Sequence, residues 1–269
     1  MASETGLAAA TGGGMQAGPR QTTEGKPSMS PEILAQLAPT GVLRAGINMS
    51  NFLLVSSRTP DGGPAGVSPD MAAAIAKRLG VPVRYLPYPR PGELADAVAN
   101  REWDIGLIGA EPQRAEKIAF TPAYAEIQAT YMVPPGSPLT RIEEVDRAGV
   151  RIAVAARAAY DLWLERNIRE ATLMRASGLD ASFALFQEQG LEALAGLRPK
   201  LLSDVEKMPG ARILEGQFMA VQQAVGTPRG NPAAEAFLRD FVEEAKASGL
   251  VARLIEKHGV SGLSVAPKS

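Results

Sequence analysis

The chain has 269 residues, with 28 Lys+Arg against 29 Asp+Glu, no cysteine, one histidine and 45% hydrophobic residues. Without cysteine there are no disulfides, thiolate nucleophiles or cysteine-rich metal sites, and His258 alone cannot build a multi-histidine centre, so neither metal nor cofactor is expected. A formal charge of −1 without a clustered basic stretch argues against nucleic acid, and no run of about 18 apolar residues offers a membrane-spanning helix.

Residues 1–32 are rich in Gly, Ala, Ser and Thr, include Gly12-Gly13-Gly14, and show no sustained apolar period; a disordered tail is expected there. Leu7-Ala8-Ala9-Ala10 is too short for the core of a secretion signal, and Glu4 stands where a cationic flank belongs. The expectation is therefore a signal removed from the chain, or a protein that stays in the cytoplasm. None of the glycine runs leads into the Gly-Lys-Ser/Thr of a phosphate loop.

From Pro31 onward, short apolar runs alternate with helical patterns, as in an α/β sheet with helices packed on it. The pattern predicts a strand over 42–47. A helix follows from Gly66-Val67-Ser68-Pro69-Asp70, with Ser68 placed to cap, Pro69 at the first helical position and Asp70 at the positive end of the dipole. Met71, Ile75 and Leu79 fall at i, i+4 and i+8, and Gly80 ends the helix. Strands follow over 83–86 and 104–108, with a short helix over 93–99 between them. Glu111-Pro112-Gln113-Arg114 resembles a helix start with an acidic cap, and a further strand covers 128–133. A second set opens with a strand over 150–155 and a helix over 158–169. It continues less clearly to a strand over 219–225, and two helices with apolar positions such as Ala234, Leu238, Phe241 and Leu254 close the chain.

The order of these elements, with Leu43-Arg44-Ala45-Gly46-Ile47-Asn48, Gly66-Val67-Ser68-Pro69-Asp70-Met71, Trp103-Asp104-Ile105-Gly106-Leu107-Ile108-Gly109, Pro112-Gln113-Arg114-Ala115 and Phe120-Thr121-Pro122-Ala123-Tyr124, resembles the amino-acid-type solute-binding proteins of bacterial ABC importers, family three. The likeness covers residues 37–259. It implies a two-lobed α/β clamshell in which the chain crosses near 125–128 and again near 219–223. Residues 33–126 and 223–262 would form one lobe, 127–222 the other, and 263–269 a C-terminal tail. It further implies a periplasmic monomer that closes on a small solute and presents it to a membrane permease by hinge closure.

In that family the arginine of the Pro-Gln-Arg turn grips the solute carboxylate. Guanidinium offers a planar fork suited to that task, so Arg114 is the first candidate; its alternative is a surface arginine paired with Glu111 or Glu116. Phe52 either covers the ligand or packs in the core, Asn51 either bonds the ligand or holds a turn, and Tyr124 either lines the cleft or packs the hinge.

The chain departs from the family pattern in three places. The loop between Gly109 and Arg114 is about two residues short, with Ala110 and Glu111 where small hydroxyl residues are common. Arg157-Ala158-Ala159 replaces a Gly-Thr turn, with Arg157 a candidate substitute at the anion site. Leu197, followed by Arg198, takes the place of the acid that pairs with a ligand ammonium. Glu111, Glu126 and Asp161 are candidate replacements for that acid, each with an ordinary alternative as a solvated residue. Arg114, Arg157 and Arg198 together would suit a solute with more than one carboxylate. The expected function is capture of a small carboxylate-bearing solute, amino acid or organic acid, without catalysis. The alternatives are a dehydratase-like enzyme on the same fold, with Glu111 or Glu126 as general acid, and a ligand-sensing module.

Overall fold

A computed structural model describes residues 29–269; most of the expected N-terminal tail, residues 1–28, lies outside the described residues. The first helix, α1 (Pro31–Leu37), starts inside the span assigned to that tail and buries Leu37. Next come β1 (Leu43–Asn48), the small antiparallel pair β2 (Ser57–Arg58) and β3 (Pro64–Ala65), and α2 (Val67–Leu79). β4 (Val83–Tyr88), α3 (Pro91–Asp96), β5 (Ile105–Gly109), α4 (Pro112–Ala115) and β6 (Ile118–Phe120) complete the first stretch. The long strand β7 (Ala125–Val133) leads to β8 (Arg151–Ala155), α5 (Ala159–Asn167), β9 (Thr172–Ala176), α6 (Leu179–Glu188), β10 (Ala193–Leu197), α7 (Arg198–Val205) and β11 (Arg212–Ile213). A second long strand, β12 (Met219–Pro228), returns the chain to α8 (Pro232–Ala247), α9 (Leu250–Lys257) and β13 (Ser264–Val265).

The sheet runs β4-β1-β5-β12-β7-β10-β8-β9, with β6 beside β12 and both β11 and β13 beside β7. Its two ends are parallel: β4, β1 and β5 on one side, β10, β8 and β9 on the other. Between them β7 and β12 are antiparallel, with Met219 opposite Ala129 and Gln223 opposite Ala125. Past this shared segment β12 pairs with β5 and β7 pairs with β10. The two long strands therefore join the lobes of the clamshell where the sequence predicts the crossings.

Each parallel end is fastened by the same device. In the first lobe the Arg44 backbone N–H donates to Asp104 Oδ2 at 2.8 Å, and its guanidinium reaches Asp104 Oδ1 at 2.6 Å, tying β1 to the start of β5. In the second, the Arg151 N–H donates to Glu192 Oε2 at 2.8 Å and its guanidinium reaches Glu192 Oε1 at 2.7 Å, tying β8 to the start of β10. Trp103 packs flat against the first lobe because Gly46 and Gly106 leave room: a Cβ at either would lie 3.1–3.2 Å from the indole. Trp163 instead meets the Phe218 ring.

Two local readings change. Ser68 does not cap α2; the helix begins one residue before it, and the Ser68 hydroxyl meets Tyr124 Oη at 3.0 Å inside the core. Asp70 turns to Lys257 and His258 of α9 and its end, each at 2.8 Å. Residues 263–269 do not trail free: Leu263 and Ala266 are buried, β13 pairs with β7 at Ala125 and Glu126, and Ala266 N–H donates to Tyr124 O.

The start of α2 depends on Gly66, whose φ of +149° and whose missing Cβ, which would lie 2.4 Å from Leu54 O, both require glycine. Gly66→Ala is expected to cost about 1–3 kcal/mol and to lower the melting temperature by several degrees in scanning calorimetry.

Candidate functional site

In both lobes the parallel strands point their carboxyl ends at the same gap, the arrangement in which α/β sheets place ligands. β1 ends at Asn48 and β5 at Gly109; facing them, β8 ends at Ala155 and β10 at Leu197. The cavity there has a volume of about 50 Å³. One wall carries Asn48, Asn51, Gly109 and Arg114, the other Ala158, Ala159, Tyr160, Leu179 and Leu197, and β12 supplies Val221 and Gln223 from the hinge.

Arg114 is the ionisable centre of this cavity. It is 6% exposed. Its Nη1 donates to Gly109 O at 2.7 Å in its own lobe, and its Nη2 to Arg157 O at 2.8 Å across the gap. A guanidinium has five N–H donors, so these two bonds leave three without a partner among the described residues. Among the described residues no carboxylate pairs with it. Burial pulls its pKa down to about 10, with the nearby Glu111 charge opposing and the Arg157 charge adding, so it stays cationic at neutral pH. Gly109 keeps the approach open, since a Cβ there would lie 3.0 Å from both Ala159 and Val221.

The remaining charges are spent on joining the lobes. Arg157 sits at φ +60°, an unusual conformation for a residue with a side chain, and its N–H donates to the buried Asp161 at 2.7 Å. That turn aims the Arg157 carbonyl at Arg114 and sends its guanidinium to Asp96, at 2.7 and 2.9 Å, over Gly92. Asp161 also accepts from Arg175 at 2.9 Å; burial raises its pKa against these two partners. Glu111 is 4% exposed and accepts from Arg166 at 2.5 Å, again across the lobes. Arg90 adds a contact to Ser177.

The predicted site residues therefore separate. Arg114 and Asn51 line the cavity, Asn51 using its Oδ1 to hold the Leu53 N–H. Glu111 and Arg157 sit at the interlobe seam, and Arg157 borders an adjoining opening of about 390 Å³, which Arg114 also lines, rather than the smaller cavity. Tyr124 is fully buried against Ser68, and Phe52 is exposed. Arg198 donates to Gln128 Oε1 at 2.9 Å and to the carbonyl of Gly216, away from the cavity. Glu111 does not cap α4; its carboxylate is with Arg166. Tyr160 and Gln223 escaped the sequence reading. The available signals were a tyrosine directly after the altered Arg157-Ala158-Ala159 turn and a glutamine pair inside an otherwise apolar hinge strand.

Among the described residues, no group of three or more His, Asp or Glu is placed to hold a metal ion, and no helix is long and apolar enough to cross a membrane.

The model of the bacterial extracellular solute-binding proteins, family 3, matches residues 43–261, and the chain belongs to that family. Among solved structures it is similar to the ancestral amino acid-binding protein AncCDT-1, a precursor of cyclohexadienyl dehydratase (TM-score 0.67, 19% identity, 83% of this chain and 97% of that one). It is also similar to a putative ABC-transporter binding component from Wolinella succinogenes complexed with lysine (0.67, 16%, 81% and 95%) and to the GluR0 ligand-binding core with L-glutamate (0.66, 21%, 82% and 98%). Among curated proteins it is 30% identical over 103 residues to the membrane-bound lytic murein transglycosylase F of Maricaulis maris, covering 38% of this chain; the match spans 22% of that protein's length.

The seam contacts should set how far the lobes open. Asp96 is held below its ordinary value of 3.8 chiefly by its hydrogen bonds from Arg157, so this lock is complete above that value and is lost as pH falls through the lowered one. Both partners are more than half exposed, so Asp96→Asn is expected to shift the open-to-closed ratio by about 5-fold at most. Glu111→Gln, at a buried carboxylate, should shift it further and enlarge the radius of gyration in small-angle X-ray scattering.

Proposed function

We propose that this family-3 protein captures a small carboxylate-bearing solute between its lobes and hands it to the membrane permease of an ABC importer. One observation carries the reading: Arg114 is a buried guanidinium at the meeting point of both lobes, with three donors free and no carboxylate partner among the described residues. Burying a cation without a counter-charge is costly, and two carbonyl bonds offset only part of it. A ligand carboxylate would supply the missing charge and accept the planar fork.

Closure then follows from where the contacts lie. Asn48, Asn51 and Arg114 belong to one lobe, Tyr160 and Leu197 to the other, and Gln223 to the hinge. A solute touching all three would bind the closed form better than the open one, which is the differential affinity that hinge closure requires. The amino-acid complexes among similar structures fit a carboxylate ligand of modest size. Periplasmic operation as a monomer is part of the same proposal.

A dehydratase-like activity needs a carboxylic acid touching the reacting atoms. The cavity wall carries no carboxylate, Glu111 is spent on Arg166, and Glu126 lies on β7 outside the wall. Binding is the better-supported role.

A thermal-shift screen of amino acids, organic acids, sugars and metal ions is the direct test: carboxylates are expected to raise the melting temperature, and stabilisation by sugars or metal ions alone would overturn the proposal. For a carboxylate that binds, Arg114→Ala should weaken affinity by about 2–5 kcal/mol, or roughly 30-fold to several thousand-fold, by titration calorimetry. Arg114→Lys should recover part of the loss, keeping the charge without the fork.

A further inference from the structure

We infer that the cavity beside Arg114 takes a short monocarboxylate whose second polar group is a neutral oxygen, a hydroxyl or an oxo group, and rejects the amino acid of the same skeleton. This rests on the carboxylate reading above and narrows it. The first support is the charge inventory of the wall: one cation, Arg114, and no carboxylate. Of the acids nearby, Glu111 is committed to Arg166 at 2.5 Å, Asp161 to Arg175 and the Arg157 N–H, and Asp96 to Arg157 at 2.7 Å, while Glu116 borders the adjoining opening and not this wall. At the end of β10 the wall is the apolar side chain of Leu197. A ligand ammonium enclosed there would lose its water and face a buried guanidinium, with no anion at the wall beyond its own carboxylate.

The second support is independent of charge. Gln223 lines the cavity, is 4% exposed, and its side-chain amide has no hydrogen-bond partner among the described residues. Tyr160, on the facing lobe, also lines the wall, but its hydroxyl is buried inside its own lobe beside the Ala155 backbone. The Gln223 amide is therefore the uncommitted polar group at this wall, and it offers a donor and an acceptor to a neutral oxygen, which a hydroxyl or oxo group satisfies at no electrostatic cost. A second carboxylate would need a second cation, and neither Arg157 nor Arg198 reaches this wall. The pocket at this wall measures about 50 Å³, so the part of the solute seated in it is short, although Arg114 also borders the adjoining opening of about 390 Å³.

The test is titration calorimetry of the whole chain with matched acids of three to five carbons that differ only at C2; for three carbons these are propionate, lactate, pyruvate and alanine. Lactate or pyruvate, or their longer homologues, should bind about 10-fold more tightly than the unsubstituted acid and at least 100-fold more tightly than the amino acid. Gln223→Leu should erase the advantage over the unsubstituted acid, so that lactate, pyruvate and propionate bind within about 2-fold of one another. Leu197→Asp should raise alanine's affinity at least 10-fold and lower lactate's by a similar factor. An amino acid that binds the unaltered protein as tightly as its hydroxy or oxo counterpart overturns this inference and leaves the carboxylate reading standing. An unsubstituted acid as tight as both overturns it too. If no acid of the series binds while the protein still melts cooperatively, the carboxylate reading itself falls with it.

Discussion

A guanidinium taken out of water without an anion beside it is the constraint around which this molecule is arranged. Arg114 is kept in place by one carbonyl from each lobe, and much of the nearby structure serves that placement. Glu111, near enough to be its natural partner, is drawn off by Arg166. The Arg157 carbonyl is turned toward it by a left-handed backbone that Asp161 holds from the N–H side. Gly109 stays without a side chain so that Ala159 and Val221 can close over the same spot. Removing charge from the neighbourhood while leaving one cation in its centre is a costly arrangement, one that the proposed anionic ligand would offset.

The walls divide their work. Strand ends of one lobe bring amide and guanidinium groups, those of the other bring mostly aliphatic surface, and the hinge brings Gln223. Outside this core the same interface is held by one solvated ion pair, Arg157 with Asp96, and one with a buried carboxylate, Arg166 with Glu111. In the proposed role, recognition and closure would rest on different physics: a largely desolvated pocket for the first, and for the second a rim whose exposed pairs are weak and open to screening by salt.

How much of this could be read in advance follows from range along the chain. Helix α2 was legible because its apolar spacing and Gly80 are local signals, and the two crossings were legible because strands over 125–133 and 219–228 stand between regular blocks. Arg114 was legible through a short motif. The local readings that changed involve partners far apart in sequence: Ser68 with Tyr124, Asp70 with His258, and Glu111 with Arg166. Each of these three had a sensible role at a helix start and is engaged instead by a contact that only the folded chain creates, as is Arg157, expected at the anion site, by Asp96. Gln223 was missed for the opposite reason, since a polar side chain on a buried strand looks ordinary until its neighbours fail to bond it.

The paired clamps at Arg44–Asp104 and Arg151–Glu192 have a mechanical meaning. Each sits at the amino end of its strands, the edge farthest from the cavity, and fastens backbone as well as side chain. A lobe stitched along its back edge turns as a stiff plate, so bending concentrates in the few residues where β7 and β12 run side by side. The molecule then behaves as two levers on a common axle, in which a small rotation at the hinge becomes a much larger travel at the strand tips where the solute would sit.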